Sequence, residues 1–78
     1  MQYVSKKIEK TREEYPEGTR VMLVFMDDSQ APLSGTFGTV CGVDDIGQIH
    51  VHWDSGSSLA LNPEEDIFRK IERSESEA

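Results

Sequence analysis

Residues 35–61 decide the fold, and they read GTFGTVCGVDDIGQIHVHWDSGSSLAL. Apolar and β-branched residues recur at alternate positions in three runs, and clusters of Asp, Gly and Ser separate those runs. The alternation is typical of strands that bury one face, and the polar clusters are typical of tight turns. This stretch therefore predicts three strands joined by two turns, with the last strand at residues 58–61 and with Ile49, Val51 and Trp53 of the middle strand facing the core.

The chain before this stretch predicts one further strand and a long loop. Residues 20–26 are apolar and rich in residue types that favour strands. Residues 29–34 lack periodicity and contain a proline, which cannot donate to a sheet ladder, so they are predicted to form a loop. The next strand begins near Thr36, and Gly38 and Gly42 mark bends or bulges in it.

Two helical features flank the strands. A short helix is predicted over residues 3–14, with Ser5 as its N-cap and an end forced by Pro16. Residues 63–66 read PEED and favour a single helical turn, since proline suits the first helical position and acidic side chains suit the N-terminal end. Residues 67–71 follow as the last strand.

Several motifs give this sequence a family resemblance. They are GTRV at residues 18–21, MDD at 26–28, GTFGTV at 35–40, VDDIG at 43–47, IHV at 49–51 and WDSGSSL at 53–59. Over residues 15–68 the combination resembles an uncharacterised domain-of-unknown-function family of bacteria, phages and conjugative elements. More loosely, GTV followed by VHWDSGS is similar to the SH3-like repeats of mind bomb and related ubiquitin ligases, which bind protein segments. The resemblance implies a small barrel and a mobile-element setting, and it implies no catalytic residues.

Together these features predict an all-β fold: a small SH3-like barrel of about five strands, with a short N-terminal helix and a helical turn before the last strand. A chain of 78 residues has the length of one domain. It divides into a helical extension over residues 1–15, the barrel over residues 16–71 and a disordered acidic tail over residues 72–78. The predicted core consists of Val21, Leu23, Val40, Ile49, Val51, Trp53, Leu59 and Ile67.

Charge narrows the range of partners. The formal net charge is -7, and residues 15–71 contain nine acidic and three basic side chains. Nucleic-acid binding depends on Lys and Arg, so direct binding of DNA or RNA is disfavoured. A basic surface on a partner protein fits this charge, while solubility alone is the alternative explanation. The sequence shows neither a membrane span nor an export signal, and its single cysteine cannot form an internal disulfide, which favours the cytoplasm.

The residue pattern does not support a metal site, a cofactor or catalysis. His50 and His52 share one strand face, but a structural metal site needs about four ligands, and the chain has no third His or second Cys. Cys41 could act as a nucleophile with one of these histidines as base, but the sequence indicates no orienting acid, oxyanion hole or pocket. The acidic pairs lack the spacing of a calcium-binding loop and suit turns. A non-catalytic protein without metal or cofactor is therefore predicted.

The sequence favours a protein-interaction module that binds a basic protein or peptide through acidic loops. The predicted partner-binding residues are Asp27, Asp28, Phe37, Asp44 and Asp45. An apolar patch is expected at Met22, Phe25 and Phe37, where the resembled family has polar residues. A monomer is expected, with a dimer as the alternative. Two other functions remain open: a mobile-element inhibitor that mimics nucleic acid, which a broad stripe of carboxylates would favour, and more weakly a nucleic-acid-associated reader domain.

Overall fold

A computed structural model describes residues 5–71 of the chain. The elements are the helix α1 at Lys6–Glu14 and the strands β1 at Arg20–Phe25, β2 at Phe37–Val43, β3 at Ile49–Trp53 and β4 at Ile67–Ile71. The strands form one antiparallel sheet in the order β3-β2-β1-β4. The predicted mostly-β architecture with one short helix is confirmed. The first residues of the predicted helix and the predicted acidic tail lie outside the described residues.

Helix α1 has the predicted N-cap and the predicted end. The Ser5 hydroxyl accepts a hydrogen bond from the backbone N–H of Lys7 at 3.2 Å. The helix ends at Glu14, since Pro16 disfavours a helical conformation in the residue before it. None of its 9 residues is buried, and an isolated helix of this length is not stable in water. Contacts with the sheet must therefore stabilise α1. Over residues 5–71, no helix has the length and apolar character needed to cross a membrane.

The core lies against one face of the sheet. In β3 the buried residues Ile49, Val51 and Trp53 alternate with the exposed His50 and His52, which confirms the predicted orientation of this strand. The fully buried side chains of the described chain are Val21, Leu23, Val40, Ile49, Val51, Trp53 and Leu61. Six of these were predicted core positions, Trp53 among them.

The strand expected at residues 58–61 is reduced to a single bridge. After β3 the chain makes a tight turn, but only Leu61 pairs with Ile49, through backbone hydrogen bonds of 2.7 and 2.8 Å. The carbonyl of Leu59 instead accepts a hydrogen bond from Nε1 of Trp53 at 2.9 Å. This carbonyl therefore accepts the hydrogen bond of the buried indole and does not take part in strand pairing. The described chain therefore has four strands where about five were expected, and Leu61 replaces Leu59 in the core.

Strand β4 exposes one residue that the sequence assigns to the core. Ile67 is exposed, whereas Phe68 packs against the core and lies with its ring centroid 5.6 Å from that of Tyr15. Successive strand residues face opposite sides of a sheet, so only one of two adjacent apolar residues can enter the core. Both were apolar, and the sequence pattern did not separate them.

The two glycines of β2 have different roles. A Cβ atom at Gly38 would lie 2.5 Å from Cγ1 of Val51 and 2.7 Å from Cε3 of Trp53, so only glycine permits this close packing of β2 on β3. The register of the two strands shifts between Val40 and Gly42, which confirms a bulge at the second glycine. Gly38 is thus required for packing, and Gly42 belongs to the bulge.

The chain makes one helical turn before β4, as predicted. The carbonyl of Asn62 accepts hydrogen bonds from the amides of Glu65 at 3.0 Å and Asp66 at 2.8 Å. The side chain of Asp66 accepts a hydrogen bond from the amide of Asn62 at 2.7 Å. These bonds close the turn on itself, and the chain then enters β4 instead of continuing as a helix.

Candidate functional site

The predicted partner-binding residues lie at two ends of the sheet. Because β1 and β2 are antiparallel, the loop that follows β1 and the turn that follows β2 lie at opposite ends of the pair. Asp27 and Asp28 follow β1, whereas Asp44 and Asp45 follow β2. Phe37, at the start of β2, lies at the same end as the first acidic pair. The structure therefore does not bring the two acidic pairs onto one surface.

The first of these ends carries most of the exposed apolar side chains. We call it the loop end, and it consists of Phe25, Asp27, Asp28, Leu33, Phe37 and Ile67. The exposed fraction is 53% for Phe25, 84% for Leu33, 38% for Phe37 and 55% for Ile67. Phe25 and Ile67 are directly opposite each other in the β1–β4 ladder. Elsewhere in residues 5–71, the only comparably exposed large apolar side chain is Ile46, at the other end.

The acidic side chains of the loop end, Asp27 and Asp28, are both exposed. Neither Asp27 nor Asp28 forms an ion pair with any residue that the structure describes. One carboxylate oxygen of Asp28 accepts a hydrogen bond from the backbone N–H of Gln30 at 2.8 Å, which shapes the loop. Two negative charges thus lie at the end of the sheet that carries the exposed apolar side chains, and no cation of residues 5–71 forms an ion pair with either of them.

Arg20 holds the β2 side of the loop end in place. Its guanidinium donates two hydrogen bonds to Asp54, at 2.9 and 2.7 Å, and one to the hydroxyl of Thr39 at 2.9 Å. The hydrogen bonds with Arg20 lower the pKa of the Asp54 carboxyl below its ordinary value. The same guanidinium carbon lies 5.9 Å from the ring centroid of Phe37. Asp54 therefore neutralises this cation while the cation packs against the aromatic ring.

The opposite end is organised by Asp44. One of its oxygens accepts hydrogen bonds from the amides of Ile46 at 3.1 Å and Gln48 at 2.9 Å, and the other lies 2.8 Å from Nε2 of His50. The hydrogen bond with His50 contributes most to lowering the pKa of the Asp44 carboxyl. These contacts fix the β2–β3 turn, so Asp44 has a structural task and is not free to bind a partner.

Two basic side chains of helix α1 form ion pairs with two further carboxylates at this end. We call it the helix end, and it consists of residues 44–48 and 62–64 with α1 packed on them. Nη2 of Arg12 donates a hydrogen bond to Asp45 at 2.8 Å, and its Nε donates one to the carbonyl of Val43 at 3.2 Å. Lys7 forms an ion pair with Glu64, and this contact lowers the pKa of the Glu64 carboxyl. The sequence did not predict these contacts, because nothing in the linear spacing relates the helix to either turn.

Cys41, His50 and His52 lie on the exposed face of β2 and β3. Cys41 and His50 line a shallow depression together with Asp44, whose carboxylate oxygen lies 2.8 Å from Nε2 of His50. However, no hydrogen bond joins the thiol to either imidazole; the contact of Sγ is with the carbonyl of Thr39, at 3.9 Å. In the part of the chain that the structure describes, no three His, Cys, Asp or Glu side chains are grouped to hold a metal ion.

Sequence reasoning also missed part of the loop end. Ile67 was assigned to the core, Leu33 was overlooked, and the bulge between Leu23 and Phe25 that alters the β1 alternation has no signal in the residue pattern. Leu33 does carry a signal, because a leucine in a loop without periodicity has no strand face to bury it. A search for apolar residues in predicted loops would have found it.

Comparison with known proteins gives one family and no individual relative. The model of a family described as a domain of unknown function, DUF4314, matches residues 4–71. No curated protein and no solved structure matches the chain. The matched segment includes the whole sheet, the loop end and the helix end.

Proposed function

The chain belongs to the DUF4314 family, and we propose that it is a non-catalytic protein-interaction module that binds a basic protein or peptide at its loop end. The observation that carries this proposal is that exposed apolar side chains and two carboxylates with no ion pair to a described residue lie at the same end of the sheet. Burial of large apolar side chains supplies most of the free energy of a protein interface, and complementary charge supplies specificity and a faster encounter. Phe25 and Ile67 serve the first purpose, and Asp27 and Asp28 serve the second.

The proposed site omits some of the residues predicted from the sequence and includes others that were not predicted. Asp27, Asp28 and Phe37 are retained. Asp44 and Asp45 leave the proposed site, because the first fixes its own turn and the second is paired with Arg12. The exposed apolar residues of the loop end take their place.

The nucleic-acid mimic is less well supported. Mimicry of a phosphate backbone needs a continuous series of free carboxylates. In this chain, however, four carboxylates contact Lys, Arg or His side chains. Those four carboxylates belong to Asp44, Asp45, Asp54 and Glu64. A nucleic-acid reader fits even less well, since the chain carries 15 acidic against 8 basic side chains.

The fold and setting complete the proposal. The bridge between Ile49 and Leu61 adds a strand-like segment at the free edge of β3. This segment supports a sheet of SH3-like barrel type, in which it would be the remaining strand. The single cysteine supports a reducing, cytoplasmic environment, and the sequence motifs support a bacterial or mobile-element setting. We propose a monomer as the active form.

A displayed library of random peptides, selected against the immobilised full chain, tests the proposal. We expect the selected peptides to combine Lys or Arg with aliphatic or aromatic residues. Replacing Phe25 with Ser should weaken the binding of a selected peptide about tenfold, because burial of a large apolar side chain contributes about 1.5–3 kcal/mol. Fluorescence anisotropy of the labelled peptide measures this change.

Matched variants at the helix end provide the controls. Ile46→Ser removes an apolar side chain that is more exposed than Phe25, and it should leave peptide affinity unchanged. Asp27→Asn with Asp28→Asn should weaken binding and reduce its dependence on salt, whereas Asp45→Asn should do neither. Selection of acidic peptides, or greater loss of affinity in Ile46→Ser than in Phe25→Ser, would contradict the proposal.

A further inference from the structure

Helix α1 contacts the helix end in the manner of a bound peptide. Its two contacts with distant acidic residues are Lys7 with Glu64 and Arg12 with Asp45. The cations are five positions apart on α1, and the carboxylates belong to two different turns of the sheet domain. The charge of α1 therefore complements the charge of the surface beneath it.

An apolar contact lies between these two ion pairs. Ile8 packs against Gly47, where an added Cβ atom would lie only 3.3 Å from Cγ1 of Ile8. Gly47 has a φ of 89°, a conformation that favours glycine, so the turn itself provides this close approach. A groove of about 340 Å³ remains between α1 and the two turns. The groove is lined by Ile8 and Ile46 together with polar side chains, Glu64 among them, and Asp45 lies next to Ile46 in the same turn.

The contacts that hold α1 are weak. None of its side chains is buried, and the side chain of Asp45 remains 96% exposed in its pair with Arg12. Exposed ion pairs of this kind contribute little to stability. A helix of 9 residues also loses its structure once it leaves the surface. Separation of α1 from the sheet is therefore a local event that the core does not oppose.

We infer that the helix end is a second binding surface, for which α1 is the built-in ligand and a basic helical segment of another protein is the external one. The segment presents what α1 presents: two cations five residues apart, with an aliphatic residue next to the first. It binds Asp45 and Glu64 with its cations and Gly47 with its aliphatic residue. This surface is independent of the loop end and of the function proposed there.

Competition between the two ligands sets the apparent affinity. An external segment binds only when α1 has left, so its apparent dissociation constant is the intrinsic value divided by the fraction of open chains. Weakening the attachment of α1 therefore tightens binding of the external segment. This relation distinguishes a displaced ligand from an unrelated acidic surface, where a change in α1 would have no such effect.

A synthetic peptide of residues 5–16, capped at both ends and fluorescently labelled, is the probe. The full chain carrying Arg12→Glu should bind this peptide at least about tenfold more tightly than the unaltered chain, because its own helix is repelled by Asp45. Lys10→Glu makes the same charge change at a position of α1 with no ion pair to a described residue, and it should bind like the unaltered chain. Trp53 fluorescence during thermal unfolding confirms that each variant retains its core.

An exchange of charges tests the assigned pairing. The chain with Asp45→Arg should reject the unaltered peptide and bind the peptide that carries Arg12→Glu. Equal affinity of the Arg12→Glu and Lys10→Glu chains for the unaltered peptide would overturn the inference. Exchange of helices between two opened chains, seen as a dimer by sedimentation with no peptide bound, would overturn it as well. Loss of peptide selection at the loop end leaves these outcomes unaffected, so the two proposals fail separately.

Discussion

The loop end and the helix end each carry a pair of adjacent aspartates, and the two pairs have different tasks. At the loop end, Asp27 and Asp28 have no ion pair with a described residue and lie beside exposed Phe25. At the helix end, Asp44 fixes a turn and Asp45 binds α1. The role of an acidic dipeptide therefore depends on the hydrogen-bond donors and cations that the fold places around it.

The difference also changes how the net charge should be understood. Three of the nine acidic side chains of residues 15–71 form ion pairs with Lys or Arg, because two basic side chains of α1 contact the helix end and Arg20 contacts Asp54. The ion-paired acids are Asp45, Asp54 and Glu64, so the formal total of -7 does not by itself describe how charge is distributed over the surface. The location of the unpaired acids carries more information than their number.

A substitution in the core should reduce stability the most, because the loop end and the helix end both depend on that core. Val51 is 2% exposed, and Val51→Asp places a carboxylate without a partner among apolar side chains. The cost of several kcal/mol is comparable to the whole stability of a domain this small, on the order of 5 kcal/mol. The variant should be unfolded at 25 °C by circular dichroism. His52→Asp, at the next and exposed position of the same strand, should fold; a cooperative melt of Val51→Asp would contradict the assigned core.

The next effect compares one substitution near each end. Gly38→Ala introduces a Cβ atom 2.5 Å from Val51 and should destabilise the fold by about 2 kcal/mol, because overpacking a dense core forces its side chains apart. Gly42→Ala meets no atom within 4 Å and should change stability by less than about 0.5 kcal/mol. Urea unfolding followed by Trp53 fluorescence measures both. Equal effects would show that the close approach at Gly38 is not required.

These two predictions show which parts of the molecule could be read from the sequence. Alternation of apolar and polar residues in β3 fixed its buried face, and Ser5 and Pro16 fixed the limits of α1, because each is a local constraint that neighbouring residues reveal. The prediction of a strand at residues 58–61 was wrong for a non-local reason, since the carbonyl of Leu59 accepts the hydrogen bond of the Trp53 indole. Such a demand depends on the tertiary position of the ring.

The candidate site was less predictable than the fold. Asp27, Asp28 and Phe37 could be proposed from composition and motif differences, but their separation from Asp44 and Asp45 follows only from strand order. Attachment of α1 depends on pairs such as Arg12 with Asp45, which are 33 positions apart in the chain. Long-range pairing of exposed charges leaves no periodic trace in a single sequence.

A smaller effect compares the same substitution in the two acidic pairs. Asp44→Asn weakens the contact with His50 and the two amide hydrogen bonds, and it should lower the free energy of unfolding by about 1–2 kcal/mol. Asp27→Asn should change this free energy by less than about 0.5 kcal/mol, since Asp27 has no ion pair with a described residue. Urea titrations at pH 7 test the difference. A larger loss in Asp27→Asn would reverse the assignment of the two ends.

The effect of Asp44 should depend on pH in a defined direction. The folded chain lowers the pKa of this carboxyl below its ordinary value of 3.8, so the unfolded chain takes up the proton at a higher pH than the folded chain does. The stabilisation is therefore present above about pH 4 and is lost as the pH falls through the folded value. The difference in unfolding free energy between the unaltered chain and Asp44→Asn should shrink below pH 4. A difference that grows with acidification would contradict this linkage.

The smallest effect on global stability is expected for a substitution at Asp45. Asp45→Asn removes an exposed ion pair with Arg12 and should lower global stability by less than about 0.5 kcal/mol. Hydrogen exchange followed by NMR should nevertheless show faster exchange of the α1 amides of Glu9 and Tyr15, with no change for Val40 in the sheet. Local opening of α1 requires this separation, because amides that exchange only through global unfolding all respond alike. Equal loss of protection in the helix and the sheet would mean that α1 unfolds together with the core, and the helix end would then be a fixed part of the fold.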